Sequence, residues 1–359
     1  MKNFVIVQNS IKTTYIFRRH YIVELLKYGN VYVIAPIDDL KMKAKLEALG
    51  VFVYKLPDLS SLTKKLFCIF LMNIFVLKER LKGSVFISHF LVTALIVYPT
   101  LVPFNHRLVI YTEGLGSFFS RRPFFQKILQ FLLSRNSATR LFCNNSERQL
   151  VGLATDTVTG GIGIELNSYP RKSKLDEIKH YELLYIGRLI KDKGVHDAIA
   201  VLRLLREKNY NVRLSLVGDI YPNNPSSLTR RDIDHLTAEF GSYIDFVGFT
   251  NDVYEWYKKS HILLLPSERE GFPVCVMEAS SVGLPCLGYN VVGVNDAIKN
   301  GVNGFLVEPS NITELAKAAE LLLDLEKLEF FRISSSKYAA DNFNIIPKTR
   351  NLVNILVEK

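Results

Sequence analysis

The stretch Gly187-Arg188-Leu189, followed by Lys191-Asp192-Lys193-Gly194, sets two cations just ahead of a helix expected from Val195. Gly187 lets the chain turn sharply, Arg188 offers a planar fork to anionic oxygens, and Lys193 offers a compact point charge. A helix N-terminus itself favours anions, so the pattern suits phosphate; a solvated turn with two surface cations is the open alternative. The stretch Pro266-Ser267-Glu268-Arg269-Glu270-Gly271-Phe272-Pro273 follows the apolar run Ile262–Leu265. Here Pro273 suits a first helical turn, and the N–H groups of Gly271, Phe272 and Val274 could meet a diphosphate. Glu270 lies in this loop and Glu278 eight residues on. A helical path through both leaves them about 80° apart, able to line one cleft and accept hydrogen bonds from sugar hydroxyls. Glu270 could instead be a helix-start acid and Glu278 a surface residue, but Glu278 stands between Met277 and Ala279 in a mostly apolar helix, which favours a partnered role. Glycines also follow apolar runs at Val217-Gly218 and Val247-Gly248, where bare backbone could meet a flat base edge.

The elements that must position these residues alternate. Strand-like runs at Phe4–Val7, Val31–Ala35, Val51–Leu56, Val85–Ser88, Leu108–Tyr111 and Leu141–Cys143 are separated by helical stretches such as Phe17–Leu26, Lys64–Leu81 and Phe124–Leu133. After residue 180 the runs Leu183–Ile186, Arg213–Val217, Ile244–Val247, Ile262–Leu265, Pro285–Gly288 and Gly304–Val307 alternate with helices such as Val195–Glu207 and Pro273–Ser281. Such alternation predicts parallel sheets covered by helices, an α/β chain of two Rossmann-like doubly wound domains. The expected division is 1–165, 166–340 and a C-terminal helix in 341–359 that packs back on the first domain, with Asn167–Lys174 as linker. Ligands in such folds bind beyond the carboxyl ends of the strands, which is where these loops lie.

Composition adds a second asymmetry. Residues 1–165 hold 21 Lys and Arg against 10 Asp and Glu, whereas residues 166–359 hold 24 against 25, so the excess charge of the whole chain sits in the first half. A basic half beside a neutral one suggests an anionic partner for one of two tasks. Cys68, Cys143, Cys275 and Cys286 lack C-x-x-C spacing and lie in apolar runs, so buried free thiols are expected. The N-terminal apolar run Phe4–Val7 is too short for a signal peptide. Leu66–Leu77 falls short of a membrane span, and Val85–Phe104, broken by Pro99 and Pro103, reads as a buried strand and a buried helix.

Taken in order over roughly residues 181–310, these motifs resemble the nucleotide-sugar half of a retaining GT-B glycosyltransferase of the family-4 type. Tyr185-Ile186-Gly187-Arg188-Leu189, Val217-Gly218-Asp219, Phe246-Val247-Gly248-Phe249, Glu270-Gly271-Phe272-Pro273 through Glu278-Ala279, and Asn300-Gly301-Val302-Asn303-Gly304 carry the likeness. In the first half Phe17-Arg18, Ser88-His89 and Glu113-Gly114-Leu115-Gly116-Ser117-Phe118 resemble bacterial transferases acting on lipid-linked glycans, the last loop resembling an N-acetylgalactosaminyl branch. Asn9–Thr14 stands where many relatives have a glycine-rich loop.

The resemblance implies two domains facing a central cleft. It implies transfer of a hexose or N-acetylhexosamine from a nucleotide-diphosphate sugar, UDP-linked, to a polyprenyl-diphosphate-linked acceptor in O-antigen, capsule or related synthesis. Arg188, Lys193 and Glu270 would be the catalytic set, with Gly187, Gly218, Val247, Gly271, Phe272 and Glu278 completing donor binding. Arg18, His89 and Glu113 are the acceptor-side candidates. No metal or cofactor is implied, since two cations already face the diphosphate. An epimerase of the same architecture, or a non-catalytic nucleotide-sugar-binding partner, is the alternative. Basic clusters such as Lys64/Lys65, Lys78/Arg80/Lys82 and Arg121/Arg122 flank apolar segments, clearest at Arg121–Leu129, and suit an anionic membrane surface better than nucleic acid. The expected place is the cytoplasmic face of the inner membrane, peripherally bound.

Overall fold

A computed structural model describes residues 1–116, 119, 122–134, 137–171 and 178–359, the side chains of residues 104 and 105 excepted. Ser117, Phe118 and Arg121, and residues 172–174 of the expected linker, lie outside the described residues. The chain forms two compact units, Met1–Ile162 with Ile345–Lys359, and Gly163–Asn344.

The first unit contains β1 (Lys2–Val7), α1 (Ile11–Leu25), β2 (Gly29–Ile34), α2 (Leu40–Ala48), β3 (Phe52–Val53), α3 (Leu62–Leu81), β4 (Val85–His89), α4 (Leu91–Leu101), β5 (Leu108–Thr112), α5 (Pro123–Ser134), β6 (Thr139–Phe142), α6 (Asn145–Val151) and β7 (Thr157–Val158). All strand pairs are parallel, in the order β3-β2-β1-β4-β5-β6-β7. The central strands β4 and β5 are buried along their whole length, as a sheet covered on both faces requires. The run Val85–Phe104 is the strand and helix its prolines imply, with Pro99 inside α4.

The second unit contains β8 (Tyr181–Ile186), α7 (Val195–Glu207), β9 (Val212–Val217), α8 (Arg230–Phe240), β10 (Ile244–Gly248), α9 (Tyr254–Lys259), β11 (Ile262–Leu265), α10 (Val274–Val282), β12 (Cys286–Tyr289), α11 (Val294–Ala297), β13 (Gly304–Val307), α12 (Ile312–Leu321) and α13 (Leu325–Asn342). Its parallel order is β10-β9-β8-β11-β12-β13. The last helix, α14 (Ile345–Val357), packs on α1 in the first unit.

The chain leaves the first unit before the stretch expected as a linker. Ile164 N–H donates to Phe343 O (2.8 Å), and Ser281 Oγ–H to Tyr169 O (2.8 Å), so residues 163–169 are built into the second unit. Among the described residues no helix is long and apolar enough to cross a membrane.

Candidate functional site

In a doubly wound sheet the strand order reverses at one point, and the loops leaving the strands there diverge and open a crevice. The reversal lies between β8 and β11 in the second unit and between β1 and β4 in the first. The chemistry-bearing loops of the sequence fall at these two places.

The loops after β8, β9 and β10 lie edge to edge. Gly187 N–H donates to Val217 O (3.0 Å) and Gly218 N–H to Gly248 O (2.9 Å). Gly218 has φ +146°, and a Cβ there would stand 1.9 Å from Gly187 O, so only glycine allows this approach. Val247 is half-buried beside it. Arg188 is exposed and its guanidinium lies 5.3 Å from the centre of the Tyr221 ring, while its carbonyl accepts from Tyr185 Oη–H (2.8 Å). Burial, then Glu270, pushes the Tyr185 phenol well above its ordinary value, so it stays a donor.

The turn Lys191–Lys193 before α7 packs against the loop after β11. Gly194 has φ +75°, and a Cβ there would lie 2.0 Å from Pro266 O. Glu268 N–H donates to Asp192 O (3.0 Å), and Glu270 N–H to Val292 O (2.9 Å), so the loop is held on two sides. Within it Lys193 Nζ reaches both Glu270 oxygens, at 2.7 and 2.6 Å. Their side chains are 22% and 15% exposed, wet enough for an incoming anion to compete for the ammonium. The structure thus joins Lys193 to Glu270 and seats Arg188 on Tyr221.

Glu278 has a different setting from the one its spacing suggests. The helix begins at Val274 with extended Pro273 ahead of it, so Glu270 is not on the helical path and the offset of about 80° does not apply. Glu278 accepts from Tyr169 Oη–H (2.7 Å) and Tyr257 Oη–H (2.8 Å). Burial raises its pKa, and the two hydroxyls work against that rise. Each carboxylate oxygen keeps a further lone pair for a substrate hydroxyl. Neither Tyr169 nor Tyr257 is legible in the sequence as a site residue, since no spacing signals its partner. Cys68, Cys143 and Cys286 are buried free thiols, whereas Cys275 is only half-buried. Its thiol is pushed far up by burial first and then by Glu270 and Glu278. The Phe272 ring packs edge-on against Phe343, centroids 5.9 Å apart.

At the reversal in the first unit Arg18, His89 and Glu113 come together. Arg18 Nη2 donates to Glu113 Oε2, and Arg18 Nε to Gln8 Oε1 (3.3 Å). His89 Nδ1 lies 3.4 Å from Glu113 Oε2, and His89 Nε2 pairs with Tyr21 Oη at 2.6 Å. The Arg18 and Glu113 side chains are 3% and 8% exposed. Burial, then Arg18, lowers the His89 pKa to about 4 against the pull of Glu113, so the imidazole is neutral at pH 7. Burial acts to raise Glu113, but Arg18 and His89 outweigh it and the carboxyl stays below its ordinary value. Glu113 Oε1 is buried and accepts no hydrogen bond among the described residues. Phe90, directly after His89, has φ +65° without being glycine, the backbone strain that functional sites tend to hold.

Glu147, buried in α6, fixes the Glu113 loop by accepting from Gly114 N–H (3.1 Å) and Leu115 N–H (2.7 Å). A cavity of about 140 Å³ adjoins, lined by Arg18, Tyr21, Tyr111, Thr159, Lys348 and Leu352 among others. Lys348 reaches it from α14 and donates to Thr159 O (2.6 Å) and Gly160 O (2.7 Å), burial lowering its pKa to about 8. Gln8, Tyr21, Glu147 and Lys348 also escaped the sequence reading. Among the described residues no three His, Cys, Asp or Glu side chains converge as a metal site.

Residues 169–334 match the family described as "Glycosyl transferases group 1". The chain is 28% identical over 346 residues to the Campylobacter jejuni N,N'-diacetylbacillosaminyl-diphospho-undecaprenol alpha-1,3-N-acetylgalactosaminyltransferase, covering 87% of this chain and 86% of that one. It is 28% identical to the Staphylococcus aureus capsular polysaccharide biosynthesis glycosyltransferase CapM over 46% of this chain and 44% of that one. The match spans about half the length of this and the next curated relatives. Among solved structures, Anabaena Alr3699/HepE in complex with UDP superposes with a TM-score of 0.80 at 18% identity over 100% of both chains.

Proposed function

We propose that this chain, which has the GT-B fold and carries a group 1 glycosyl transferase domain at residues 169–334, is a retaining glycosyltransferase that uses a UDP-linked hexose or N-acetylhexosamine. The acceptor in this reading is a polyprenyl-diphosphate-linked glycan, an N-acetylgalactosaminyl transfer being favoured by the relative that matches over most of both chains. The observation that carries the reading is the Lys193–Glu270 pair at the strand-order reversal, beside the Gly187–Gly218–Gly248 backbone floor.

The chemistry follows from the charges. Bond breaking at the anomeric carbon leaves negative charge on the departing diphosphate. Lys193 and exposed Arg188, beside the start of α7, stabilise that charge as it develops, without a metal ion. When the diphosphate takes Lys193, Glu270 is released to accept from donor-sugar hydroxyls, and the Gly271–Phe272 backbone lies next to it. Glu278, oriented by its two tyrosines, holds the ribose hydroxyls, and the Val247–Gly248 backbone meets the base. In the first unit the buried, unpartnered Glu113 Oε1 is the candidate to receive an acceptor hydroxyl. In this reading the protein sits peripherally on the anionic cytoplasmic face of a membrane, which the basic charge of the first unit supports.

Lys193→Ala and Glu270→Ala are expected to lower transfer by about a thousandfold, with melting temperature little changed. The assay offers a UDP-sugar panel and a short-chain polyprenyl-diphosphate-linked acceptor. Wild-type turnover in either variant overturns the assignment.

A further inference from the structure

The first unit leaves a large apolar face uncovered. On α3, Leu66, Phe67 and Phe70 are each more than half exposed, and Ile74 and Leu77 are also exposed. Soluble surfaces rarely show so many large apolar side chains together, and such a face marks an interaction site. The helix is apolar all round at its centre. Its inner face, Cys68, Met72 and Val76, enters the core, while the outer face has no cover. The same side of the sheet carries α4 and α5, whose Val97 and Leu129 share that core. On α5 the exposed stripe Phe124, Ile128 and Phe131 continues the pattern.

Charge identifies the partner. Between residues 61 and 134 the chain has nine Lys and Arg and only two acids, Glu79 and Glu113. Both acids are interior: Glu79 accepts from Tyr54, Lys82 and Ser84, and Glu113 pairs with Arg18. The outer rim of the face is cationic on balance, with Lys64, paired to Asp58, and Lys65 before the apolar centre of α3, and Lys78 and Lys82, the latter paired to Glu79, after it. A second copy would set cations against cations. The apolar centre, Leu66–Leu77, runs about 18 Å, too short to cross the roughly 30 Å bilayer core. With cations at both ends it suits a helix lying in the plane of the headgroups.

We propose that α3 is the principal membrane-docking element: its outer face sinks into the headgroup–acyl boundary of an anionic bilayer, and α5 adds a second contact. This deepens the reading of a membrane-borne acceptor and rests on it for its purpose. It moves the main contact from the Arg121–Leu129 segment to the helix that the basic clusters Lys64/Lys65 and Lys78/Arg80/Lys82 flank.

The test is co-sedimentation of the full chain with phosphatidylcholine vesicles, with and without phosphatidylglycerol. Binding is expected only to the anionic vesicles and is expected to weaken in high salt. Phe67→Ser with Phe70→Ser should lower it roughly tenfold or more. Phe330→Ser, at an equally exposed phenylalanine of the second unit, should leave it unchanged. Equal binding to neutral vesicles, or wild-type binding by the double variant, overturns the inference. So does a lipid-free dimer that the double variant converts to monomer, which would make the face a self-interface. UDP-sugar binding by the same preparations separates the two readings. Its loss in the wild type sinks the transferase assignment and leaves docking standing, whereas its retention in the double variant shows that a loss of docking is local.

Discussion

The two units each hold an acid–base pair at the reversal of their strand order, and the pairs differ in one respect: access to water. Arg18–Glu113 is almost fully enclosed, backed by Gln8, His89 and Tyr21. Lys193–Glu270 is partly open, in a loop braced by backbone hydrogen bonds. Enclosing charges costs solvation that the pair must return, so removing one partner strands the other in a poor solvent. A half-open pair gains little stability and can be exchanged for a substrate anion. The first pair is therefore built to hold a geometry, and the second to be displaced.

That contrast can be broken most directly by deletion. Arg18→Ala is expected to cost about 3–5 kcal/mol of stability in urea unfolding of the first unit, because Glu113 is left buried and unpaired. Lys193→Ala should cost less than about 1 kcal/mol in the second unit while removing activity. Equal losses would show that exposure does not distinguish the pairs.

A smaller effect separates them by pH. His89 has a folded-state pKa of about 4 against an ordinary 6.5. As pH falls below about 6.5 the unfolded chain takes up a proton that the folded chain refuses until about 4, so stability is lost across that window and is whole above it. The expected loss is on the order of 3 kcal/mol by pH 4, and His89→Gln should flatten it. The depressed Glu113 carboxyl adds a further loss at lower pH that the variant keeps. A slope unchanged in His89→Gln would place the titration elsewhere.

The sequence is legible where a pattern is local. The helix Val195–Glu207 and the strand Ile262–Leu265 agree with expectation to the residue, the first an amphipathic stretch with apolar residues at helical spacing and the second a short apolar run. Val51–Leu56 shrinks to Phe52–Val53 because β3 is an edge strand paired only to β2. The first helix starts at Ile11, well before Phe17, because Ser10 caps it by accepting from Thr13 N–H, a signal present but unread in Asn9–Thr14. β7 and α11 are too short for any periodicity to show. At the site, Lys193 and Glu270 were readable from their loops. Tyr169 was not: it meets Glu278 across 109 residues, and no spacing tells which aromatic will face which carboxylate.

The smallest effect asks whether the second unit also tunes its acids through neighbours. Burial raises the Glu278 pKa, and hydrogen bonds from Tyr169 and Tyr257 hold the rise in check. Tyr169→Phe removes one such bond and moves the carboxyl further up. If Glu278 binds donor hydroxyls as a carboxylate, the donor dissociation constant should rise about tenfold near neutral pH with kcat unchanged, the worth of one hydrogen bond to a charged group. The weakening should be larger at acid than at alkaline pH, because losing the hydrogen bond moves the carboxyl pKa up. Donor affinity measured by calorimetry from pH 5.5 to 8.5 distinguishes this from lost packing, which would weaken binding equally at every pH. A parallel drop across the range would make Tyr169 a wedge for α10 and leave the first unit as the only one whose acid is tuned by its neighbours.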